Sequence, residues 1–157
     1  MDAITLLKAD HKAVSKLFRE YKAAKKNGRS NRSKSIDKAI EALSIHAAIE
    51  EQVFYPAVRE EAPALEDDIL ESIEEHHVLK WTLAEIATIG PADERYDAKV
   101  TVMMEQVRHH VEEEETDWFP KVRDALGRTR LRELGAELEK AKKRAPRTPE
   151  PDHVLPR

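Results

Sequence analysis

Apolar residues recur at helical spacing along nearly the whole chain, and the pattern divides into four long amphipathic segments and a shorter fifth. From about Ile4 to Lys26 the stripe is Leu7, Val14, Phe18 and Tyr21; His11 stands where an apolar residue is due, so it faces inward. Asn27-Gly28 ends this helix, and the polar run to Ser35 reads as a loop with several cap residues. The second helix, about Ser35 to Glu60, carries Ile36, Ile40, Leu43, His46, Glu50, Val53 and Ala57 on one face. Pro56 falls inside it and removes a backbone hydrogen bond, which predicts a kink or an end. Glu61-Ala62-Pro63 closes a hairpin. The third helix, about Ala64 to Ile89, aligns Ile69, Ile73, His76, Leu83 and Ile86 and is broken by Gly90-Pro91. The fourth, about Ala92 to Leu126, aligns Val100, Met103, Val107, His110, Glu114 and Trp118 until Gly127 stops it. A short helix, about Thr129 to Lys143, offers Leu131, Leu134, Leu138 and Ala141 to the rest. The tail from Ala145, with Pro146, Pro149, Pro151 and Pro156, is expected to be disordered. The expected fold is all-α: an up-down-up-down four-helix bundle in residues 1–127, an added helix in 128–144 and a tail in 145–157.

The two halves of the bundle repeat one another. His46-Ala47-Ala48-Ile49-Glu50-Glu51-Gln52-Val53-Phe54-Tyr55-Pro56 and His110-Val111-Glu112-Glu113-Glu114-Glu115-Thr116-Asp117-Trp118-Phe119-Pro120 both read H-x-x-x-E-E-x-x-aromatic-aromatic-Pro. Asp10-His11 with Val14 and Phe18 matches Glu75-His76 with Leu79 and Leu83, and the two repeats share an offset of 64 or 65 residues. On a helix, His and Glu four residues apart stack on one face. Two hairpins related by a pseudo-twofold would therefore bring four His and two Glu to one place. Because the proline recurs at position 120, the kink belongs to the design.

Composition narrows the chemistry. The 157 residues make room for one domain, and 37% charged residues with 5% aromatics suit a helical bundle. A net charge of -4 gives no electrostatic case for nucleic acid. The absence of Cys excludes disulfides, thiolate catalysis and sulfur-ligated metals, so any metal must use nitrogen and oxygen. No apolar run approaches 18 residues and the N-terminus lacks a signal pattern. The expectation is a soluble, cytoplasmic monomer or homodimer without membrane or nucleic-acid partners.

Burying one unpaired ionisable group costs at least a few kcal/mol, against about 5–15 kcal/mol for a whole domain. A single inward His can be satisfied by a carbonyl or water; six ionisable groups on converging faces need a cation. The candidate metal ligands are His11, His46, Glu50, His76, His110 and Glu114. His77 and His109 lie about 100° around their helices and are assigned to solvent or to supporting contacts. Glu51 and Glu115 are alternative ligands should the kinks rotate the last turn. Asp10 and Glu75 are placed to orient imidazoles. Phe18, Phe54, Trp118, Phe119 and Met103 read as core, and Tyr55 as core with a phenol able to reach the site.

These residues resemble the hemerythrin-like HHE cation-binding domain over about Ala3 to Leu126, down to the aromatic-Pro ends. The resemblance implies a four-helix bundle holding two Fe ions, oxo- or hydroxo-bridged, with Mn or Zn as substitutes. It implies that the four His hold the irons and that Glu50 and Glu114 bridge them. About two of some twelve coordination positions would then remain for an exogenous ligand. Only His76 has the right phase on the third helix, and Lys80 stands one turn on, where oxygen-carrying hemerythrins have a second His. The ferritin-like alternative needs Glu-x-x-His on two helices, and within the predicted helices only Glu74 to His77 has that spacing. The function implied is binding or decomposition of peroxide, oxygen or nitric oxide in oxidative or nitrosative stress, with catalase- or peroxidase-like turnover left open. The alternative is a non-enzymatic oxygen or iron sensor signalling to a partner.

Overall fold

The computed structural model describes residues 1–28 and 30–150, and every regular element in them is helical. Helix α1 (Ala3–Lys26) starts at Asp2, whose carboxylate accepts the Thr5 N–H at 2.9 Å. A 3-10 turn, Ser30–Arg32, leads into α2 (Ser33–Ile49), which continues through one wide turn, Glu50–Phe54, into α3 (Tyr55–Glu61). A second 3-10 turn, Pro63–Leu65, precedes α4 (Glu66–Ile89). Helix α5 (Tyr96–Glu113) continues through a second wide turn, Glu114–Trp118, into α6 (Phe119–Lys142). Four rods result: α1, α2 with α3, α4, and α5 with the first part of α6. They form the expected four-helix bundle.

Both wide turns are single π turns. The Tyr55 N–H reaches back five residues to the Glu50 carbonyl, and the Phe119 N–H to the Glu114 carbonyl. Pro56 and Pro120 follow at once. A proline ring crowds the carbonyl four residues back and offers it no N–H; a turn widened by one residue relieves both problems without ending the rod. The extra residue also advances the buried face. Val53 and Ala57, expected inward, are only half-buried, whereas Phe54, Tyr55 and Val58 are fully buried. One further boundary shifts. Helix α5 begins at Tyr96 and not near Ala92, because Asp93 N–H bonds the Gly90 carbonyl at 3.3 Å and Asp93 Oδ1 accepts the Arg95 N–H at 2.8 Å, folding the segment into turns.

The apolar core is divided in two. One cluster joins Ile4 and Leu7 of α1, Phe54 and Val58, Ile69 of α4, Trp118, Phe119 and Val122. The other joins Val14 and Tyr21 of α1, Ile36 and Ile40 of α2, Leu83 and Ile86 of α4, Val100 and Met103 of α5. Along each rod the His and Glu of the repeat fall between the two sets, so a buried polar layer separates two apolar ones.

Gly127, at φ 79°, breaks α6 in two. The left-handed conformation is open to glycine at little cost, and it turns the second segment back onto the bundle. There Leu131, Leu134 and Leu138 are buried, worth roughly 1.5–3 kcal/mol each. Gly135 sits against the start of α1: a Cβ at that position would lie 2.1 Å from the Met1 carbonyl oxygen. Beyond Lys142, Ala145 packs on the same cluster and Arg147 Nη1 lies 3.3 Å from Glu41 Oε1. Residues 151–157, where the rest of the expected tail falls, lie outside the described residues. Among the described residues no helix is long and apolar enough to cross a membrane.

Candidate metal centre

The six residues singled out in the sequence meet in the polar layer. His11 comes from α1, His46 from α2, His76 from α4 and His110 from α5, while Glu50 and Glu114 are the first residues of the two π turns. All are buried, with Glu50 0% and Glu114 1% exposed. His46 Nε2 lies 3.0 Å and His76 Nε2 3.4 Å from Glu50 Oε1; His110 Nε2 approaches Glu114 Oε1 more closely still. The donor atoms form two groups, Glu50 with His76, His110 and Glu114, and His11 with His46 and Glu114; within each, one donor atom per residue lies within 4.8 Å of the others.

The outward ring nitrogens are equally ordered. Each Nδ1 meets a carboxylate: His11 with Glu115 at 2.6 Å, His46 with Asp10 at 3.0 Å, His76 with Glu51 at 3.0 Å and His110 with Glu75 at 3.3 Å. The pairing obeys the pseudo-twofold. Asp10 and Glu75, each just before the first His of its half, hold the second His of that half. Glu51 and Glu115, each just after the inward Glu, cross over and hold the first His of the other half. Carboxylate on Nδ1 fixes the ring and leaves Nε2 free to ligate. Two lysines stand behind these carboxylates: Lys80 Nζ donates to Glu51 at 2.8 Å, and Lys142, from the end of α6, donates to Asp10.

Protons and carboxylates are strongly coupled within the layer. Burial lowers the affinity of His46 for a proton, but Glu50, Asp10 and Glu114 outweigh it and hold the ring at about 10. His110 is likewise held at about 11, burial being outweighed by Glu114 and Glu75. Burial, reinforced by His46, pushes His11 down to about 4. Burial and the nearby Glu50 raise Glu114 to about 7, while Glu50 itself, despite burial, is held well below the usual carboxylate range by His46 and His76.

The donor set fits a pair of cations. His11 Nε2, His46 Nε2 and both carboxylate oxygens of Glu50 and of Glu114 are buried and make no hydrogen bond. His46 Nε2 stands 3.0 Å from Glu50 Oε1 without the alignment of a hydrogen bond. Unmade hydrogen bonds at six buried polar atoms would cost on the order of 1–3 kcal/mol each. Shared cations would satisfy all six, and imidazole with carboxylate is a donor set for iron, manganese or zinc.

Aromatic rings close the layer on the side of the π turns. Phe54 and Trp118 stack across the pseudo-twofold at 5.8 Å, Phe119 lies parallel to His11 at 6.0 Å and Tyr55 is tilted against His76 at 5.4 Å. Tyr55 and Phe119 are repeat partners, so the Tyr55 hydroxyl is the one polar atom the symmetry does not supply. It lies 3.2 Å from His76 Nε2, and burial together with Glu50 and Glu114 raises it well above its usual range, so it keeps its proton. On the other side a cavity of about 20 Å³ touches all four histidines between Val14, Leu43, Leu79 and Val107. That is room for one molecule the size of water or dioxygen.

His77 meets Glu74 at 3.2 Å, and His109, 68% exposed, pairs with Glu113 at 3.1 Å; neither reaches the layer. Glu51 and Glu115 grip imidazoles from outside. The sequence held a signal for this, since they repeat at the same 64-residue offset as the inward Glu. Nothing in it pointed to Lys142.

The chain matches the hemerythrin HHE cation binding domain family over residues 2–122. A crystal structure of a hemerythrin HHE cation binding domain-containing protein, the Rv2633c homolog from Mycobacterium kansasii, superposes with a TM-score of 0.76 at 23% identity, covering 92% of this chain and 86% of that one. A DNA nickase from Nostoc sp. (strain PCC 7120 / SAG 25.82 / UTEX 2576) is 28% identical over 142 residues, 90% of this chain but 39% of the nickase, so the chain spans about two-fifths of that relative's length.

Proposed function

The chain belongs to the hemerythrin HHE cation-binding domain family, and on that footing we propose that it holds two iron ions through His11, His46, Glu50, His76, His110 and Glu114 and binds or decomposes a small oxidant. The observation that carries this reading is the matched orientation of four imidazoles: each Nδ1 tied to a carboxylate, each Nε2 facing the inward pair Glu50 and Glu114. His11 and His46 with Glu114 would hold one ion, and His76 and His110 with Glu50 and Glu114 the other. Bound iron would supply the redox chemistry for peroxide, oxygen or nitric oxide. The protein's own part is positional. Asp10, Glu51, Glu75 and Glu115 fix the rings and offset cation charge. The apolar layers on either side exclude bulk water. The cavity of about 20 Å³ limits what enters to one small molecule. The Tyr55 hydroxyl holds a proton beside His76 and can donate a hydrogen bond there. A role in oxidative or nitrosative stress follows from that ligand class.

The first test is metal content per chain of aerobically purified protein, with its visible spectrum before and after peroxide. About two irons per chain, with bands that shift as oxygen evolves, support an enzyme. A protein that carries no metal and stays folded in chelator overturns the reading.

A second reading, a sensor signalling through its C-terminal segment, draws support from Lys142, which links α6 to Asp10 and so to His46. Inertness to peroxide, together with a change in protease susceptibility of α6 on iron loss, would favour it. The name of the Nostoc relative raises strand scission of DNA; nicking of supercoiled plasmid by the iron-loaded chain tests that directly.

A further inference from the structure

A groove of about 800 Å³ runs between α1 and α5, which lie antiparallel without close packing. It follows α1 from His11 to Lys26 and α5 with its π turn from Thr101 to Thr116, roughly 22 Å at helical rise. Its floor is apolar: Val14, Phe18, Met104, Val107 and Val111. Its rim is basic: Arg19, Lys22, Lys25, Lys26 and Arg108 line it, and among the described residues none of the five is in an ion pair with a carboxylate. Of the three acids on the groove, Glu105, Glu112 and Glu115, the last is committed to His11. In a chain of net charge -4 this is a local reversal of sign. Lys22, Lys25 and Lys26 gather at the end remote from the polar layer; the other end closes on His11 and Glu115.

An apolar floor roughly 22 Å long with cations at one end selects among occupants. A phosphodiester backbone would match the rim but leave the floor in contact with charge. An amphipathic α-helix would lay one apolar face on the floor, but cations gathered at one end would then need acids confined to one end of that helix. One extended alkyl chain ending in an anion satisfies both features, and the volume is that of a small-molecule site, about 300–1,000 Å³. We propose that the groove binds a single-chain alkyl carboxylate, a fatty acid, with its chain along Val14, Phe18, Met104, Val107 and Val111 and its carboxylate among Lys22, Lys25 and Lys26. The far end of the chain then lies against His11 and Glu115 and covers that approach to the layer. This rests on the groove alone and is independent of the metal chemistry.

Calorimetric titration of the full chain, as purified, with palmitate below its micellar concentration tests it. The expected result is one saturable site per chain, weakened tenfold or more in the exposed double variant Lys22→Glu/Lys25→Glu and abolished in Met104→Trp, which fills the floor. Circular dichroism of both variants should match the parent. Hexadecyltrimethylammonium, the same chain with a cationic head, should bind at least tenfold more weakly. No saturable palmitate binding, binding indifferent to both variants, or equal binding of the cationic surfactant overturns the proposal. So does finding the same two variants sensitive in binding to phosphatidylglycerol vesicles or duplex DNA but not to palmitate, or a dimer that Met104→Trp dissociates, since the groove then serves a membrane, a nucleic acid or a second copy.

Discussion

Cation loading should expel protons, and the number can be worked from the layer. At pH 7 His46, held at about 10, and His110, held at about 11, are both protonated, and Glu114, raised to about 7, is about half protonated. Two cations that between them take both Nε2 atoms and both carboxylates must displace between two and three protons. Removing one at pH 7 from a group titrating near 10 costs about 4 kcal/mol, and from one near 11 about 5 kcal/mol. Roughly 9 kcal/mol is thus withheld from loading of the pair, about 4–5 kcal/mol for each ion, against metal-binding free energies of about 10–16 kcal/mol for a single structural zinc. With two protons in the balance, the product of the two apparent affinities should rise about 100-fold per pH unit between pH 7 and 8.5, about tenfold for each ion. Competition against a chelator of known affinity with Zn(II), which has no redox chemistry to confuse the readout, gives that slope. Calorimetry in two buffers of different ionisation enthalpy gives the proton count. A slope near zero, or less than one proton released per chain, refutes the assignment of these groups as both protonated and ligating.

Metal-free protein should lose stability as pH rises. His46 and His110 titrate higher in the folded chain than their ordinary value of about 6.5, so their contribution is whole below that pH and lost as pH passes about 10 and 11; urea midpoints should be lower at pH 10 than at pH 7, and the metal-loaded chain should not follow. Glu115→Ala, which frees the His11 ring, should lower metal affinity about 10- to 100-fold by chelator competition with little change in helix content. Gly135→Val places side-chain atoms where a Cβ already lies 2.1 Å from the Met1 carbonyl oxygen; overpacking of about 1–3 kcal/mol at about 2–4 °C per kcal/mol should lower the melting temperature, and an unchanged value would mean the C-terminal segment does not dock as described. Tyr55→Phe keeps the ring against His76 and Trp118 and removes only the hydroxyl; metal content should stand while the peroxide-driven spectral change slows about tenfold or more, as stopped-flow absorbance would show.

The bundle and its polar layer were legible in the sequence because both rest on periodicity. His11 and His76 occupy positions where an apolar residue is due, and the 64-residue offset carries the second half. What depends on departure from an ideal helix was not legible. Val53 and Ala57 follow the α-helical stripe from Glu50, but the π turn demanded by Pro56 moves the buried face to Phe54, Tyr55 and Val58. On an ideal helix Glu51 points about 100° away from Glu50; in the widened turn it grips His76 from outside. Contacts set by tertiary path alone, such as Lys142 with Asp10, require the direction in which α6 leaves Gly127, and no local pattern encodes that.

The repeat is close enough that its exceptions identify where the two halves must differ. Tyr55 replaces the phenyl of Phe119, and Lys80 stands where the first half has Ser15. Both exceptions act on His76: the Tyr55 hydroxyl from the inner side at 3.2 Å, and Lys80 from the outer side through Glu51. The partner His11 has Phe119 and an unsupported Glu115 that opens on the groove. Glu51 is thus anchored by Lys80 at its other oxygen, and the ring it holds is raised in proton affinity, whereas burial and His46 push His11 down to about 4. The group containing His76 and His110 is therefore the one with a protonated hydroxyl at hand. Both groups border the surface: His11 lines the groove between α1 and α5, and His76 and His110 line a second groove between α4 and α5. A twofold repeat would make two equal positions; these substitutions give one of them a buried hydroxyl and a lysine-anchored carboxylate, and leave the other with a phenyl ring and a carboxylate on the groove between α1 and α5.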